Sequence, residues 1–183
     1  MLKRKAYGKG ILKMNTINIQ TYKSPVGEIL LGSYDGKLCL TDWKYRRMRM
    51  TIDKRLQNGL NAEYSEESSE VIEQTITQLK EYFSGRRKTF DIPLLTIGTE
   101  FQKSVWQGLI KIPYGANASY LELAKNIGNE KAVRAVASAN GANAISILIP
   151  CHRIIGSNGE LVGYAGGLPA KKKLLELENN LFV

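Results

Sequence analysis

Residues 119–139 have the sequence SYLELAKNIGNEKAVRAVASA, which predicts two short helices joined by a tight turn. Ser119 and Glu122 have the spacing of a capping box, so the first helix is expected to begin there. Residues 127–129 contain a glycine and break the helical pattern, and the second helix is expected over residues 130–139. Such a pair is typical of a helix-turn-helix that binds DNA, although many other helical domains also contain one.

The second of these helices has an unusually slim surface. Lys131, Arg134 and Ser138 recur on one side, and small residues, mostly alanines, occupy the rest. A helix that reads bases in the major groove usually carries Asn, Gln or several Arg side chains, and this helix has few of them. The pattern favours a shallow contact of low sequence selectivity, as in the minor groove, with Arg134 as its one long polar side chain. Alternatively, the alanines pack inside the domain and the cations are merely solvated.

The composition is that of an ordinary globular protein with an excess of positive charge. The 183 residues include 26 Lys and Arg against 17 Asp and Glu, a formal net charge of +9. This excess favours a polyanion such as nucleic acid, or else marks a basic surface that has no ligand. One His and two Cys are too few for a four-ligand zinc site of the Cys/His type, and we expect no metal and no cofactor.

The sequence also bears on location. It has no apolar run long enough to span a bilayer and no signal peptide at its start, so we expect no membrane contact. A cytoplasmic location follows from this expectation, or a nuclear one if the source is a eukaryote.

The N-terminal half has the pattern of an antiparallel sheet followed by a helix. Residues 27–34 and 37–43 are rich in strand-forming residues and are separated by Asp35-Gly36, a strong hairpin signal. Residues 46–64 are polar and are expected to be irregular. A helix is predicted over residues 69–84, with acidic residues near its start and basic residues after its end. Cys39 is expected to be a buried, inert thiol.

These patterns predict an α+β fold with two domains. The small N-terminal domain contains an antiparallel sheet and a helix, and the C-terminal domain is mainly helical and contains the helix-turn-helix. The expected boundaries are a basic tail at residues 1–14, the N-terminal α/β domain at 15–93, a linker at 94–98 and the DNA-binding domain at 99–183.

The candidate for covalent chemistry is a cysteine next to the only histidine. Free cysteine has a pKa of about 8.5, so a nucleophilic thiol needs a base, a cation or a helix N-terminus nearby. His152 and Arg153 could supply the first two to Cys151. Neighbouring side chains on a strand point to opposite faces, so Cys151 and His152 cooperate only if Pro150 interrupts the strand or a water bridges them.

The residues after this motif add two features. The glycine-rich residues 163–167 are typical of a loop that closely approaches a ligand, or of a plain surface loop. A last helix is predicted from Leu168-Pro169 onward. One of its acidic side chains could orient the histidine.

Together these motifs resemble the O6-alkylguanine-DNA alkyltransferases, also called methylated-DNA–protein-cysteine methyltransferases. The resemblance runs from about Thr99 to Glu178. It is carried by Ile149-Pro150-Cys151-His152-Arg153-Ile154, Phe101-Gln102, Val105-Trp106, Ile112-Pro113-Tyr114-Gly115, Ser119-Tyr120, Lys131-Ala132-Val133-Arg134-Ala135-Val136, Asn140-Gly141-Ala142-Asn143 and Gly163-Tyr164-Ala165-Gly166-Gly167. The N-terminal half is compatible with this family but carries little of its signature.

The resemblance implies a direct-reversal DNA repair protein. Such a protein binds duplex DNA through the minor groove, flips a damaged guanine out of the stack and transfers its O6-alkyl group irreversibly to Cys151. The transfer occurs once per protein molecule, and O4-alkylthymine is implied as a poorer substrate. A monomer is expected.

The resemblance also implies roles for five catalytic residues. Glu178 holds His152, which draws the proton from Cys151 through a water molecule, as in other triads. Tyr120 donates a proton toward the departing guanine, and Asn143 braces the turn that carries the cysteine.

For DNA binding, the resemblance implies that Arg134 fills the stack that the flipped base has left. The other implied DNA contacts are Lys125, Lys131 and Ser138, and the implied pocket residues are Ser146, Ile154, Tyr164 and Ala165. Some members have Ser in place of Ala165, so a side-chain contact to O6 is missing here. Others have Pro near Ser146, which bears on the size of alkyl group accepted.

Two other functions remain open from the sequence. One is a lesion-binding module that does not repair DNA, and the other is a Cys-His hydrolase that acts on an acyl substrate.

Overall fold

The computed structural model describes residues 15–179, so the predicted tail at residues 1–14 lies outside the described range. Its N-terminal half contains a four-stranded sheet in the order β3-β2-β1-β4. The strands are β1 (Asn15–Ser24), β2 (Gly27–Tyr34), β3 (Lys37–Trp43) and β4 (Ala62–Ser65). The first three pair antiparallel, as predicted, and β4 pairs parallel with β1. Asp35 and Gly36 both have positive φ, as a tight hairpin turn requires.

Residues 46–64 are not irregular, and that prediction was wrong. They contain α1 (Arg49–Leu60) and then β4. The helix has a weak sequence signal because it buries only Ile52 and Leu56 and has neither an acidic first turn nor a side-chain N-cap. β4 is only four residues long, and its pairing with β1 joins segments that are distant in the sequence.

The second helix of this half, α2 (Glu70–Phe83), matches the prediction. The Ser69 side chain caps its start by accepting a hydrogen bond from the Ile72 amide. Its buried face includes Ile72 and Tyr82, and Tyr82 reaches the candidate site described below. Cys39 on β3 is fully buried, as expected, and burial raises its pKa to about 12.

The C-terminal half is mainly helical and contains the predicted pair of short helices. Its elements are α3 (Glu100–Ile110), β5 (Ala118–Ser119), α4 (Tyr120–Asn126), α5 (Val133–Gly141), β6 (Ile154–Ile155) and α6 (Gly167–Glu178). Both ends of the Ser119/Glu122 capping box are formed, and Gly128 takes a positive φ in the turn before α5. The predicted second helix begins as a 3-10 turn, Glu130–Ala132, before it becomes α5. None of the helices within residues 15–179 is long and apolar enough to cross a membrane.

The two halves share one hydrophobic core. Leu31 and Leu79 from the sheet and α2 belong to the same buried cluster as Trp106, Ile145 and Leu174 from the C-terminal half. On the outer edge of the sheet, Leu38 and Thr41 of β3 also form isolated β-bridges with Leu94 and Ile145. The predicted linker at residues 94–98 between two domains stays a prediction. Because the core is shared, the sheet of the N-terminal half can support functional residues of the C-terminal half directly.

Candidate active site

Cys151 lies in a single 3-10 turn, Cys151–Arg153, directly after Pro150. The residues before Pro150 form a turn in which Ile147 takes a positive φ. Cys151 and His152 therefore do not follow a strand and do not alternate as they would on one. The thiol is only 3% exposed. Burial raises its pKa above the ordinary value, and the hydrogen bond from Asn143 partly opposes this effect.

Asn143 braces the segment that carries the cysteine. Its amide nitrogen Nδ2 donates to Cys151 Sγ at 3.2 Å and to the Ile149 carbonyl at 3.0 Å. Its carbonyl Oδ1 accepts from the Ile145 amide at 2.9 Å. One buried side chain thus ties the thiol to both ends of the preceding turn.

Glu178, near the end of α6, is buried and collects hydrogen bonds from several donors. Its Oε1 atom lies 2.8 Å from His152 Nε2, and Arg153 donates to both carboxylate oxygens at 2.8 and 2.9 Å. Tyr82 Oη donates to Oε1 at 2.8 Å, and the Gly115 amide donates to Oε2 at 3.3 Å. Burial alone would raise the pKa of Glu178, but the bonds and charges of His152 and Arg153 outweigh it and lower the pKa to about 2.

The ionised Glu178 determines the tautomer of His152. Because a carboxylate only accepts hydrogen bonds, Nε2 of His152 carries the proton and Nδ1 carries a lone pair. Burial lowers the pKa of His152, against the opposing effect of Glu178, so the imidazole is neutral at pH 7. Nδ1 is buried and has no hydrogen-bond partner among residues 15–179, which leaves it able to accept a proton.

Neither His152 nor Arg153 contacts the Cys151 thiol in the way that the sequence motif suggested. Within the described residues, no hydrogen bond joins His152 to Cys151, so a proton moving between them needs an intermediary. Arg153 was a candidate cation for the thiolate, but its guanidinium bonds to Glu178 and to the Ile112 carbonyl, the latter at 2.6 Å. Arg153 therefore acts on the carboxylate and not on the sulfur.

A cavity of about 340 Å³ opens to solvent above the thiol. It is lined by Arg46, Arg47, Met48, Tyr120, Ala137, Asn140, Gly141, Asn143, Cys151, Gly163, Tyr164 and Ala165. Of the predicted catalytic and pocket residues, Tyr120, Asn143, Cys151, Tyr164 and Ala165 line it. Burial, and then the neighbouring Cys151, raise the pKa of Tyr120, so its hydroxyl keeps its proton and can donate it.

The other two predicted pocket residues do not line this cavity. Ser146 is buried behind it, in the turn braced by Asn143. Ile154 is fully buried in β6, and its carbonyl accepts a hydrogen bond from the buried Lys171 ammonium. Lys171 also donates to the Val162 carbonyl at 2.7 Å, and burial lowers its pKa to about 8.

Gly163, Tyr164 and Ala165 of the glycine-rich loop form one wall of the cavity. At Gly166 the loop needs a glycine because it packs against a residue of the N-terminal half. A Cβ atom at Gly166 would overlap the Trp43 ring, whereas one at Gly163 would meet open space. The Tyr164 ring lies edge-on to Trp43, with centroids 5.8 Å apart. This loop therefore packs against β3 and is not a free surface loop.

Sequence reasoning missed three supporting residues, Arg46, Tyr82 and Lys171. Arg46 Nη1 donates to Asp42 Oδ2 at 2.9 Å and to the Asn143 carbonyl at 2.8 Å, and its Nη2 donates to the Gly141 carbonyl. Of these contacts only the Asp42–Arg46 pair has a local spacing, i to i+4, and it lies outside any predicted helix. The remaining contacts join distant parts of the sequence and leave no local pattern.

Comparison with known proteins identifies the family. The model of the 6-O-methylguanine DNA methyltransferase ribonuclease-like domain matches residues 17–96, and that of its DNA binding domain matches residues 100–180. The chain belongs to the 6-O-methylguanine DNA methyltransferase family.

Individual relatives agree with this assignment. The methylated-DNA–protein-cysteine methyltransferase of Methanosarcina acetivorans is 46% identical over 87% of this chain and 96% of its own length. The constitutive enzyme of that name from Bacillus subtilis is 39% identical over 85% and 90%. The crystal structure of Mycobacterium tuberculosis OGT in complex with DNA matches with a TM-score of 0.76 and 36% identity, covering 90% of this chain and 93% of that one.

In this methyltransferase, the residues predicted to contact DNA are exposed on α4, α5 and the turn between them. Lys131 and Arg134 have no hydrogen bond or ion pair from their side chains within residues 15–179, and Ser138 donates to the Arg134 carbonyl at 3.1 Å. Lys125 pairs with Glu130 at 3.4 Å. Arg134 lies one helical turn before Ala137, which lines the cavity, so the exposed cation is close to the cavity mouth.

Residues 15–179 hold no group of three His, Cys, Asp or Glu side chains placed to bind a metal ion.

Proposed function

We propose that this protein repairs alkylated duplex DNA by transferring the alkyl group from O6 of guanine to Sγ of Cys151. The observation that carries the proposal is the position of the thiol. Cys151 lines a cavity that is also lined by Ala137, Asn140 and Gly141 of α5, the second helix of the predicted helix-turn-helix. A base turned out of DNA bound at α5 would therefore be presented to the sulfur.

The transfer is a displacement at the alkyl carbon. Cys151 loses its proton to His152 Nδ1 through an intermediary, the carbon–sulfur bond forms and the carbon–O6 bond breaks. The departing guanine takes a proton from Tyr120, and the proton held by His152 then returns to the Tyr120 oxygen through solvent. Overall the thiol proton is replaced by one on guanine, and the alkyl group moves to sulfur. Glu178 holds the imidazole and stabilises it while it is charged. Asn143 keeps Sγ pointed at the cavity.

Transfer occurs once per molecule because a thioether is stable and no neighbouring group can remove the alkyl group from it. The product is intact guanine and an inactive, alkylated protein. O4-alkylthymine is proposed as a poorer substrate, as the family resemblance implies.

DNA binding is proposed to occur through the minor groove, with the slim α5 helix at the groove wall and Arg134 filling the vacated stack. The net charge of +9 favours the duplex. The protein is proposed to act as a monomer and in the cytoplasm.

Stoichiometry tests this proposal. The protein is mixed with an excess of duplex containing O6-methylguanine, and restored guanine is measured over time. We expect a rise to one guanine per protein molecule and then a stop, with no repair by Cys151→Ser. Clearance of the whole excess would show an enzyme with turnover, and binding without repair would show a lesion-recognition module.

A further inference from the structure

The loop between β3 and α1, residues 44–48, reaches the candidate active site from the N-terminal half. Arg46, Arg47 and Met48 line the same cavity as Cys151. The α5 residues Ala137, Asn140 and Gly141 also belong to that lining. DNA that inserts a base between these walls must therefore pass the loop as well as the helix-turn-helix.

Contacts of two arginines with the buried Asp42 hold this loop in place. Arg46 bonds to Asp42 and to the backbone of Asn143, as described above. On the other side, Arg49 lies 3.3 Å from Asp42 Oδ2 and 2.7 Å from Asp53 Oδ1. Asp42 is fully buried, so both arginines are tied to a fixed point at the end of β3. The two residues between them, Arg47 and Met48, are consequently held at the cavity mouth.

Arg47 differs from its two arginine neighbours in having no partner. Its side chain is exposed and makes no hydrogen bond or ion pair with any residue in the described range 15–179. A guanidinium presents a rigid fork of donors that matches the oxygens of a phosphate. When a nucleotide places its base in the cavity, its sugar and flanking phosphates stay at the cavity mouth. The loop places the Arg47 side chain at the same mouth.

We propose that Arg47 binds a backbone phosphate next to the flipped nucleotide, which makes the β3–α1 loop a second DNA-contacting element. The inference rests on the proposed function. It assigns to the N-terminal half a direct part in DNA binding, in addition to its support of Glu178 and Asn143. Arg46 is excluded from this role because its guanidinium is already bonded to Asp42 and to two backbone carbonyls.

The test measures binding of duplex with one O6-methylguanine at several salt concentrations, with Cys151→Ser as the parent so that no transfer occurs. Arg47→Ala is expected to weaken binding about fivefold near 0.1 M salt and to reduce the slope of log affinity against log salt by about 0.9. Arg47→Lys is expected to restore the slope because it keeps the charge. Arg86→Ala removes an exposed arginine that does not line the cavity, and it should bind like the parent.

A second measurement separates phosphate binding from an effect on cavity shape. With Cys151 present, Arg47→Ala should slow repair of dilute duplex about fivefold more than it slows reaction with free O6-methylguanine base, which has no phosphate. Equal losses on both substrates would overturn the inference, as would an unchanged salt slope. Thermal melting of each variant checks that the fold is kept. If the wild-type protein transfers no methyl group from duplex DNA, the proposed function fails. If the wild-type protein does transfer it and Arg47→Ala repairs duplex at the same rate, only the inference about Arg47 fails.

Discussion

At the scale of single residues, His152 is the group that can take up a proton near neutral pH. Glu178 remains ionised because its pKa is held at about 2, and burial raises the pKa of the Cys151 thiol. Burial and the positive charges of Arg153 and Lys171 lower the pKa of His152, against the effect of Glu178. The neutral imidazole is therefore the resting form, with its free lone pair on Nδ1.

The pH dependence of alkyl transfer follows from these protonation states. A base whose pKa lies below its ordinary value of 6.5 is mostly neutral at pH 7 and above. We therefore expect the single-turnover rate to change little from about pH 7 to about pH 8, where Lys171 begins to lose its charge, and to fall as acid protonates His152. Rapid-quench measurements with an O6-methylguanine duplex across this range test the prediction.

Glu178→Gln gives the matched variant for this profile. Without the carboxylate the tautomer of His152 is no longer fixed, and the rate is expected to fall by about 10² or more and to rise with pH as the thiol ionises directly. A wild-type rate that rises tenfold per pH unit through the neutral range would contradict the role of His152.

At the scale of elements, α5 and the 3-10 turn before it carry cations that differ in their expected effects. Arg134 on α5 lies one turn from the cavity lining, whereas Lys131 lies in the 3-10 turn. We expect Arg134→Ala to slow repair of duplex several-fold even at saturating protein, because the flipped state loses its support. Lys131→Ala should weaken affinity and lower the salt slope but leave the saturated rate closer to wild type.

Reaction with free O6-methylguanine base is the control for this comparison. Arg134→Ala should slow it far less than it slows duplex repair, because a free base needs no flipping. Equal losses on base and duplex would mean that Arg134 shapes the cavity and does not support the flipped state.

Elements with strong local signals were predicted well from the sequence. The hairpin of β2 and β3 has Asp35-Gly36 at its turn, and the Ser119 capping box marks the start of α4. α1 was missed because Ile52 and Leu56 are too few apolar residues to define a helical face. Its stability comes from packing on the sheet, which no local pattern records.

At the scale of the whole molecule, the N-terminal half supports the reacting groups. Tyr82 on α2 donates to Glu178, from which it is separated by 96 positions. Arg46 holds the backbone of Asn143 across 97 positions. The cysteine and the histidine lie in the motif that carries the family resemblance, and the resemblance also implied the glutamate. These supporting contacts could not be predicted, because only the folded sheet and the shared core bring the partners together.

Tyr82→Phe tests this support. The variant keeps the ring in the core but removes one hydrogen bond to a buried carboxylate, which is worth about 1.5–3 kcal/mol. We expect a lower free energy of unfolding and a several-fold slower transfer rate, with duplex affinity unchanged. Denaturant melts, single-turnover rates and equilibrium binding measure the three effects.

Tyr114→Phe is the matched control for Tyr82→Phe. The Tyr114 hydroxyl donates to the Leu177 carbonyl and does not bond to Glu178. Tyr114→Phe should lower the free energy of unfolding but should slow alkyl transfer less than Tyr82→Phe does. Equal rate losses in the two variants would remove the specific link between Tyr82 and the carboxylate.

The most direct test of alkyl transfer to Cys151 is the mass of the protein after it meets its substrate. The wild-type protein is incubated with duplex containing O6-methylguanine, and its intact mass and peptide map are recorded. The account predicts one added methyl group, on Cys151 and not on the buried Cys39, with the same result for Cys39→Ser and no addition for Cys151→Ser. Loss of the lesion from DNA while Cys151 stays unmodified, or a methyl group on any other residue, would contradict it.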